Sequence, residues 1–529
     1  MNTNWTRRNF LQTGGLGAAA FLARSAHAED IQKTKSGAVH SAIDIGERRQ
    51  LFIDDALIDS DRTQGVARQL NGPQRIQRVL TPTQPWEALG FVFYCGVIDD
   101  NGTAKLYHHS YDAEKKKHSM LATSMDGLNW ERPKLGLKAY EGGKENNLLP
   151  MTSVEATVFL DPHSPPEKRY RMVYTRGFPD PAKAGVCVAS SSDGLRWNEA
   201  AERSLPFIPD SQPSAFWDER LGKYVIYLRA WNPIRTVARV AVDDLETAWP
   251  YDASVPPFHV WGKDKIPTLS RELPTVIAYD EKDQPYLQPY TSEAMPYPGT
   301  PDVYFAFPAD FQNYKAPEWK SRALTGNDGT FDIGFATSRD GVTWNRWRQP
   351  YIPTGLYGDL DLRLVSMGFG MVRRGPWLHQ YFVGWPYTHG RPEVWERDPS
   401  TRAAWYGKNL GGIYCATQRV DGFLSMDAPN AGGMLTTKPL NFKGDRLRLN
   451  IHTTGGGSAR VALLDAQGKA FPGFNADECE VIQDDDVDFE VRWKNGPDVS
   501  SLAGQAVSVQ VTMRNAKLYA LQFSRSNAA

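Results

Sequence analysis

Residues 120–130 read MLATSMDGLNW, residues 186–197 read VCVASSSDGLRW and residues 333–344 read IGFATSRDGVTW. These are three copies of one phrase: an apolar strand, a serine, then Asp-Gly and a tryptophan. Two looser copies, VARVAVDDLETAW (237–249) and IYCATQRVDGFLS (413–425), bring the total to five at irregular spacing. In each copy, alternating apolar residues make a half-buried strand and Asp-Gly supplies the left-handed backbone of a tight turn. The tryptophan opens the next strand and covers the turn. Upstream lie further strand-like runs, EATVFLDP and RYRMVYTRG before the copy at 186–197, SAFWDER and KYVIYLRAW before the one at 237–249. Four short strands per repeat is the blade of a β-propeller, so the phrase predicts an all-β chain with a five-bladed β-propeller.

Working outward, the propeller is expected over residues 45–428. Two long stretches interrupt it: a Pro- and Tyr-rich insertion between about residue 250 and 333, and GWPYTHGRPEVWERDPSTRAAWYG at 384–407. Long loops in a compact domain are usually functional, so both are expected to line a cleft. The strand RRQLFIDDALID (48–59) is left over and is expected to complete a blade where the ring closes, removing an open edge. After residue 433 the phrase disappears and short alternating strands follow (DRLRLNIHTT, ARVALLDAQG, AVSVQVTMR), which predicts a C-terminal β-sandwich over 433–526.

At the other end, Arg7-Arg8 precede a Gly/Ala-rich apolar run that stops at Ala26-His27-Ala28. This reads as a twin-arginine export signal over residues 1–28, with the mature chain periplasmic or secreted. No later run of about 20 apolar residues could span a bilayer. The formal net charge of -1 gives no basic footprint for nucleic acid or an anionic membrane. Cys95, Cys187, Cys415 and Cys479 are far apart, without CxxC spacing or a His/Cys cluster, and read as small core residues. His108-His109 lie on one strand and point to opposite faces, which argues against a metal pair.

The Asp-Gly-Trp phrases resemble the Asp-box turns of sialidases and other propellers, where the motif is structural; Asp126, Asp193 and Asp340 are therefore expected to make turns. Asp161 and Asp218, which follow strands in DPHSPPEK and DERLGK, are read the same way. The mature chain as a whole resembles the five-bladed propeller glycosidases of the fructosidase and arabinanase superfamily (families 32 and 43), in particular exported members of planctomycete-type bacteria. The resemblance rests on LFIDDALI, PWEALGFVFYCGV, ATSMDGLNWERPKLGL with NNLL after it, VFLDPHSPPEKRYRMVY, FWDERLGKYVIYLR and LTTKPLNF. The Asn-Asp-Pro, Arg-Asp-Pro and Glu-Cys motifs of family 32 do not occur here in their usual surroundings; Glu478-Cys479 falls in the C-terminal region.

The resemblance implies a glycoside hydrolase with carboxyl groups at the starts of the inner strands of the first three blades. Applied to this sequence, that rule selects Glu87, Glu155 and Asp210, with Glu293, Asp359 and Asp361 in similar positions of the later blades. Glycoside cleavage needs one protonated acid and one carboxylate, about 5–5.5 Å apart for retention or about 6.5–9.5 Å for inversion. Which residue takes which role stays open at this stage. Arg229 near Trp231 is read as a wall for sugar or carboxylate, and Trp86, Tyr290, Tyr297, Trp385 and Tyr387 as surfaces for stacking on sugar rings. No organic cofactor and no metal ligand set is expected, although a propeller channel leaves room for a structural calcium. The competing reading is a carbohydrate-binding propeller without catalysis. A sialidase, which would want an arginine cluster and a tyrosine nucleophile, stands third.

Overall fold

The computed structural model describes residues 41–526 apart from 152, 154, 178–181, 257–259, 262–265 and 392–409. The export signal and most of the second insertion therefore lie outside the described residues. No helix among the described residues is long and apolar enough to cross a membrane.

The fold is all-β. Antiparallel meanders follow one another along the described chain, the last two joined in one continuous sheet where Phe331 pairs with Leu364. The first runs Phe91–Asp100, Thr103–Tyr111, Lys117–Ser124 and Leu148–Leu149, and the second Ala156–Leu160, Tyr170–Arg176, Gly185–Ser191 and Asn198–Glu199. The third is Ser214–Asp218, Lys223–Trp231, Arg235–Val242 and Thr275–Ile277. Met295–Tyr297, Thr300–Ala306, Gly329–Ser338 and Asn345–Ile352 form the fourth; Leu364–Met367, Trp377–Trp385 and Gly412–Arg419 form the fifth. The first strand of each meander is apolar nearly throughout, as in ATVFL and LVSM, because sheets cover both of its faces.

The ring closes through Arg75–Leu80, which pairs antiparallel with Gly412–Arg419 as the outer strand of the fifth meander. Inside, Gly96 of the first meander bridges Phe369 of the fifth, with Val97 N donating to Phe369 O at 2.8 Å and Phe369 N to Cys95 O at 2.9 Å. The expected closing strand at 48–59 does something else. Gln50 and Leu51 pair with Leu521 and Ala520 of the C-terminal sheet, Ile43–Gly46 runs parallel to Leu440–Phe442, and Ala67–Leu70 pairs with Leu424–Ala428. Only Gln50–Leu51 of the expected strand is strand; the residues after it bend and turn, with Asp54-Asp55 at the exposed point between two buried apolar runs. Of these two acids, Asp54 is paired with Arg339 at 3.1 Å, and Asp55 is exposed and bonded to Arg68.

The C-terminal region is built on two long strands, Arg446–Leu464 and Ser508–Ser524, paired along most of their length. They pack a separate core that includes Leu447, Val461, Val511 and a stack of Phe442 on Phe523 at 3.7 Å. Arg419 ties this core to the ring through Asn450 Oδ1 at 2.7 Å and Asp485 at 2.5 Å.

The Asp-Gly-Trp phrases are turns, as expected. Asp126 Oδ1 accepts the N–H groups of Leu128 and Asn129, both at 2.8 Å; Asp193 and Asp340 do the same for the residues after them. Each turn is also held from the neighbouring meander. The hydroxyl of Tyr107 donates to Gly194 O at 3.1 Å, Tyr227 to Gly341 O at 2.6 Å and Tyr381 to Gly127 O at 2.8 Å. A second row uses the acids that end the inner strands. Tyr170 bonds Asp100, Tyr224 bonds Asp161 at 2.6 Å and Tyr304 bonds Asp218 at 2.7 Å. The four cysteines are free and buried.

The two partners of one latch should respond differently. Gly194 has φ +73°, and an added Cβ would sit 2.5 Å from the Tyr107 hydroxyl. Tyr107→Phe, which removes one hydrogen bond, is expected to cost about 1 kcal/mol in denaturant unfolding. Gly194→Ala should cost more than that, since it adds backbone strain and a clash. Equal effects would mean that the hydroxyl, not the close approach, dominates the contact.

Candidate active site

Each inner strand begins at one end of the ring, and the segments leading into the first three meet there. Glu155 immediately precedes Ala156–Leu160, and Asp210 lies four residues before Ser214–Asp218. A buried amide fixes their relation. Gln212 Nε2 donates to Cys95 O and Ala156 O, both at 3.0 Å, so the segment carrying Asp210 is tied to the residue after Glu155. Asp210 has φ +53°, a left-handed conformation that aspartate tolerates better than most side chains. From there its Oδ2 accepts Arg229 Nη2 at 2.5 Å.

Arg229 is 3% exposed. It also donates through Nε to Pro209 O at 3.0 Å and lies 4.4 Å above the Tyr290 ring. Burial opposes its charge, but Asp210 overrides this and holds the guanidinium above its ordinary range. Glu155 is shifted the other way. Burial first, then the negative charge of Asp210, push its carboxyl up to about 7, with Arg229 and Lys117 acting against them. Two carboxyl groups on neighbouring strands thus sit in unlike environments, the arrangement that separates a proton donor from a charged partner. Tyr94, from the first inner strand, belongs to the same cluster: after burial, Tyr290 and Glu155 do most to raise its hydroxyl well above the usual range.

An open cavity of about 500 Å³ adjoins Asp210 and is walled by Trp231, Arg235, Tyr286, Gln288, Asn313, Lys315 and Asn327. Arg235 lies 4.8 Å from the far side of Tyr290 and 4.5 Å from Trp231. The Tyr290 hydroxyl meets His389 Nε2 at 3.1 Å, while His389 Nδ1 meets Asn327 O at 2.7 Å. A carbonyl only accepts, so Nδ1 carries the proton and Nε2 accepts from the tyrosine. Burial lowers this histidine to about 4, which keeps it neutral. A larger cavity of about 710 Å³ in the C-terminal sheet has no acid or aromatic side chain in its wall.

Of the residues selected from sequence, Glu155, Asp210, Arg229 and Tyr290 come together. The others do not. Glu87 is fully buried, with both oxygens taken by Arg132 at 3.0 Å and by the N–H groups of Thr83 and Gln84. It caps a short 3-10 turn, Pro85–Glu87, and fixes it to the strand beyond the first Asp-Gly turn. Trp86 packs edge-on against Tyr140 at 5.6 Å in the same core. Asp361 is exposed on a hairpin and paired with Arg363 at 2.5 Å, and Asp359 with Arg78 at 3.2 Å. Trp385 donates to Phe91 O at 2.8 Å and backs Phe93, which leans on Tyr290. Tyr297 is bound to Asp421, and Tyr387 packs on Trp385.

Glu293 is sealed at 0% exposure, and neither oxygen has a hydrogen-bond partner. Burial alone raises it well above its ordinary value. Among the described residues no group of three or more His, Cys, Asp and Glu is placed to hold a metal.

No protein-family model matches the sequence, and no curated protein is similar to it. Solved structures that resemble it do so weakly. One comes from work on the family of mannoside phosphorylases that contains glycoside hydrolases targeting β-1,2 mannosidic linkages in Candida mannan. It is 14% identical, with 70% of this protein and 96% of that one covered and a TM-score of 0.40. A glycosyl hydrolase from Bacteroides ovatus is 14% identical over 66% and 93%, with a TM-score of 0.40. A thermostable family-43 glycoside hydrolase is 14% identical over 68% and 95%, with a TM-score of 0.37.

The role of Glu87 has a direct check. Glu87→Gln leaves the Arg132 guanidinium without its bidentate acid and should lower unfolding stability by about 1–3 kcal/mol. Unchanged stability in denaturant unfolding would contradict this structural role.

Proposed function

We propose that the protein is an exported glycoside hydrolase on a five-bladed propeller, with Glu155 as proton donor and Asp210 as the partner carboxylate. The observation that carries this reading is the contrast between the two acids. Glu155 stays protonated up to about pH 7, while Asp210 is held in an ion pair with a buried arginine. Glycosidic cleavage asks for that asymmetry: a neutral acid protonates the leaving oxygen, and a carboxylate activates water or attacks the anomeric carbon. Trp231 and Tyr286 offer apolar faces in the adjoining cavity on which sugar rings can stack. Export rests on the Arg7-Arg8 segment of the sequence.

A second reading, a propeller that binds carbohydrate without cleaving it, is favoured by one observation. The first meander contributes Tyr94 to the cluster where the resemblance implies a third carboxyl group.

Reducing-sugar release from a panel of glycans separates the two. Glu155→Gln and Asp210→Asn are each expected to lower kcat by at least about 100-fold. Because a general acid works only while protonated, kcat/KM of the wild type should fall as pH rises through about 7, and this limb should vanish in Glu155→Gln. Glycan binding with no turnover at any pH would favour the second reading. Undiminished turnover in Glu155→Gln would overturn the assignment of the acid.

A further inference from the structure

The cavity beside the carboxyl pair carries more positive charge than its own residues balance. Arg235 is 4% exposed. Its Nη1 donates to Gln288 Oε1 at 3.0 Å and its Nη2 to Asn327 Oδ1 at 3.2 Å, while its Nε has no partner. None of these contacts is an anion. Asp210, the acid in the cavity wall, is committed to Arg229. Asp328 lies just behind Asn327, but its oxygens accept the N–H groups of Leu324, Gly329 and Gly390. Lys315 adds a further ammonium at the exposed rim, and no ion pair to it occurs among the described residues. Burial first, then the neighbouring Arg229 charge, lower Arg235 to about 10, and the attraction of Asp210 offsets only part of this.

The polar amides point the same way. The oxygens of Gln288 and Asn327 are spent on Arg235, and that of Asn313 on the N–H of Lys315 at 3.0 Å. Their N–H groups make no hydrogen bond among the described residues, whereas each oxygen already accepts one. Amide donors beside a buried guanidinium that has no carboxylate in direct contact among the described residues favour a ligand with negative charge and several acceptors, since a buried charge is costly unless paired.

We infer that this cavity is an anion subsite, and that the glycan handled by the site carries an oxyanion, a uronic acid carboxylate or a sulfate ester, on the sugar unit seated against Arg235. This rests on the glycosidase reading for its carbohydrate context, but the anion subsite can be tested apart from hydrolysis.

The first measurement is thermal stabilisation of the full chain by free glucuronate and by inorganic sulfate, with glucose as the neutral control. The same titrations are made with Arg235→Gln and with the rim variant Lys315→Glu, whose exposed position spares the fold. One or both anions should stabilise the wild type and glucose should not. The apparent Kd should weaken about tenfold or more in Arg235→Gln, the loss expected for one charge-assisted contact, and by a smaller factor in Lys315→Glu. Glucuronate and sulfate, compared with each other, identify which oxyanion the subsite prefers. The second measurement compares cleavage of oligogalacturonides, their neutral methyl esters and sulfated galactose oligosaccharides. Anion binding without cleavage of any of these would count against hydrolysis and leave the subsite standing. No stabilisation by either anion, equal stabilisation by glucose, or full anion binding in both variants would overturn the subsite. So would faster cleavage of the methyl esters than of the free acids.

Discussion

One side-chain amide sets the geometry of the candidate site. Gln212 Nε2 reaches the carbonyls of Cys95 and Ala156, so a single donor group ties the first three inner strands together directly beneath Glu155 and Asp210. The orientation of the amide is dictated by its surroundings, because turning it over would press its oxygen against two carbonyl oxygens. Once those strands are fixed, Asp210 is close enough to raise Glu155, and Arg229 is close enough to neutralise Asp210. The site's electrostatics are therefore a consequence of how the ring is closed at its centre.

The periphery is held by repetition. Tyrosines on the second strands of the meanders bond either the glycine carbonyl of an Asp-Gly turn or the aspartate that ends an inner strand in the adjacent meander. Each such bond contributes modestly, about 1 kcal/mol, yet each also fixes the angle between two sheets. Inner strands run from the site to these latches, so the latches hold the far end while Gln212 holds the near one. Repeated contacts of this kind leave the segments leading into the strands free to carry function.

Much of this is legible in the sequence because it is local. The turns at Asp126, Asp193 and Asp340 are set by residues within four positions of one another, and the widely spaced cysteines are core residues. Glu155 and Asp210 are reached by a rule about where inner strands begin. The same rule selects Glu87 and Asp361, which ion pairs remove: Arg132, 45 residues away, claims Glu87, and Arg363, two residues along the same exposed hairpin, claims Asp361; periodicity foretells neither. Glu293 occupies the right kind of position but is sealed from solvent. The segment at 48–59, read as one strand, is strand only at Gln50–Leu51 and turns away after it, and Arg75–Leu80 closes the ring in its place. Arg235 escapes the rule, although a signal exists: it pairs with Trp231 across the Asn232-Pro233-Ile234 turn, which sets it beside Arg229.

The account comes down to a carboxylic acid that stays protonated near neutral pH because it is half-buried next to a second, ion-paired carboxylate. A carboxyl-carbon NMR titration of Glu155, in the intact chain and in Asp210→Asn, measures this directly. The intact protein should show Glu155 titrating near pH 7. The variant should titrate lower, yet still above an ordinary glutamate, because burial is the larger cause and survives the substitution. A Glu155 that titrates as an exposed glutamate does, or one indifferent to the charge at position 210, would contradict the account.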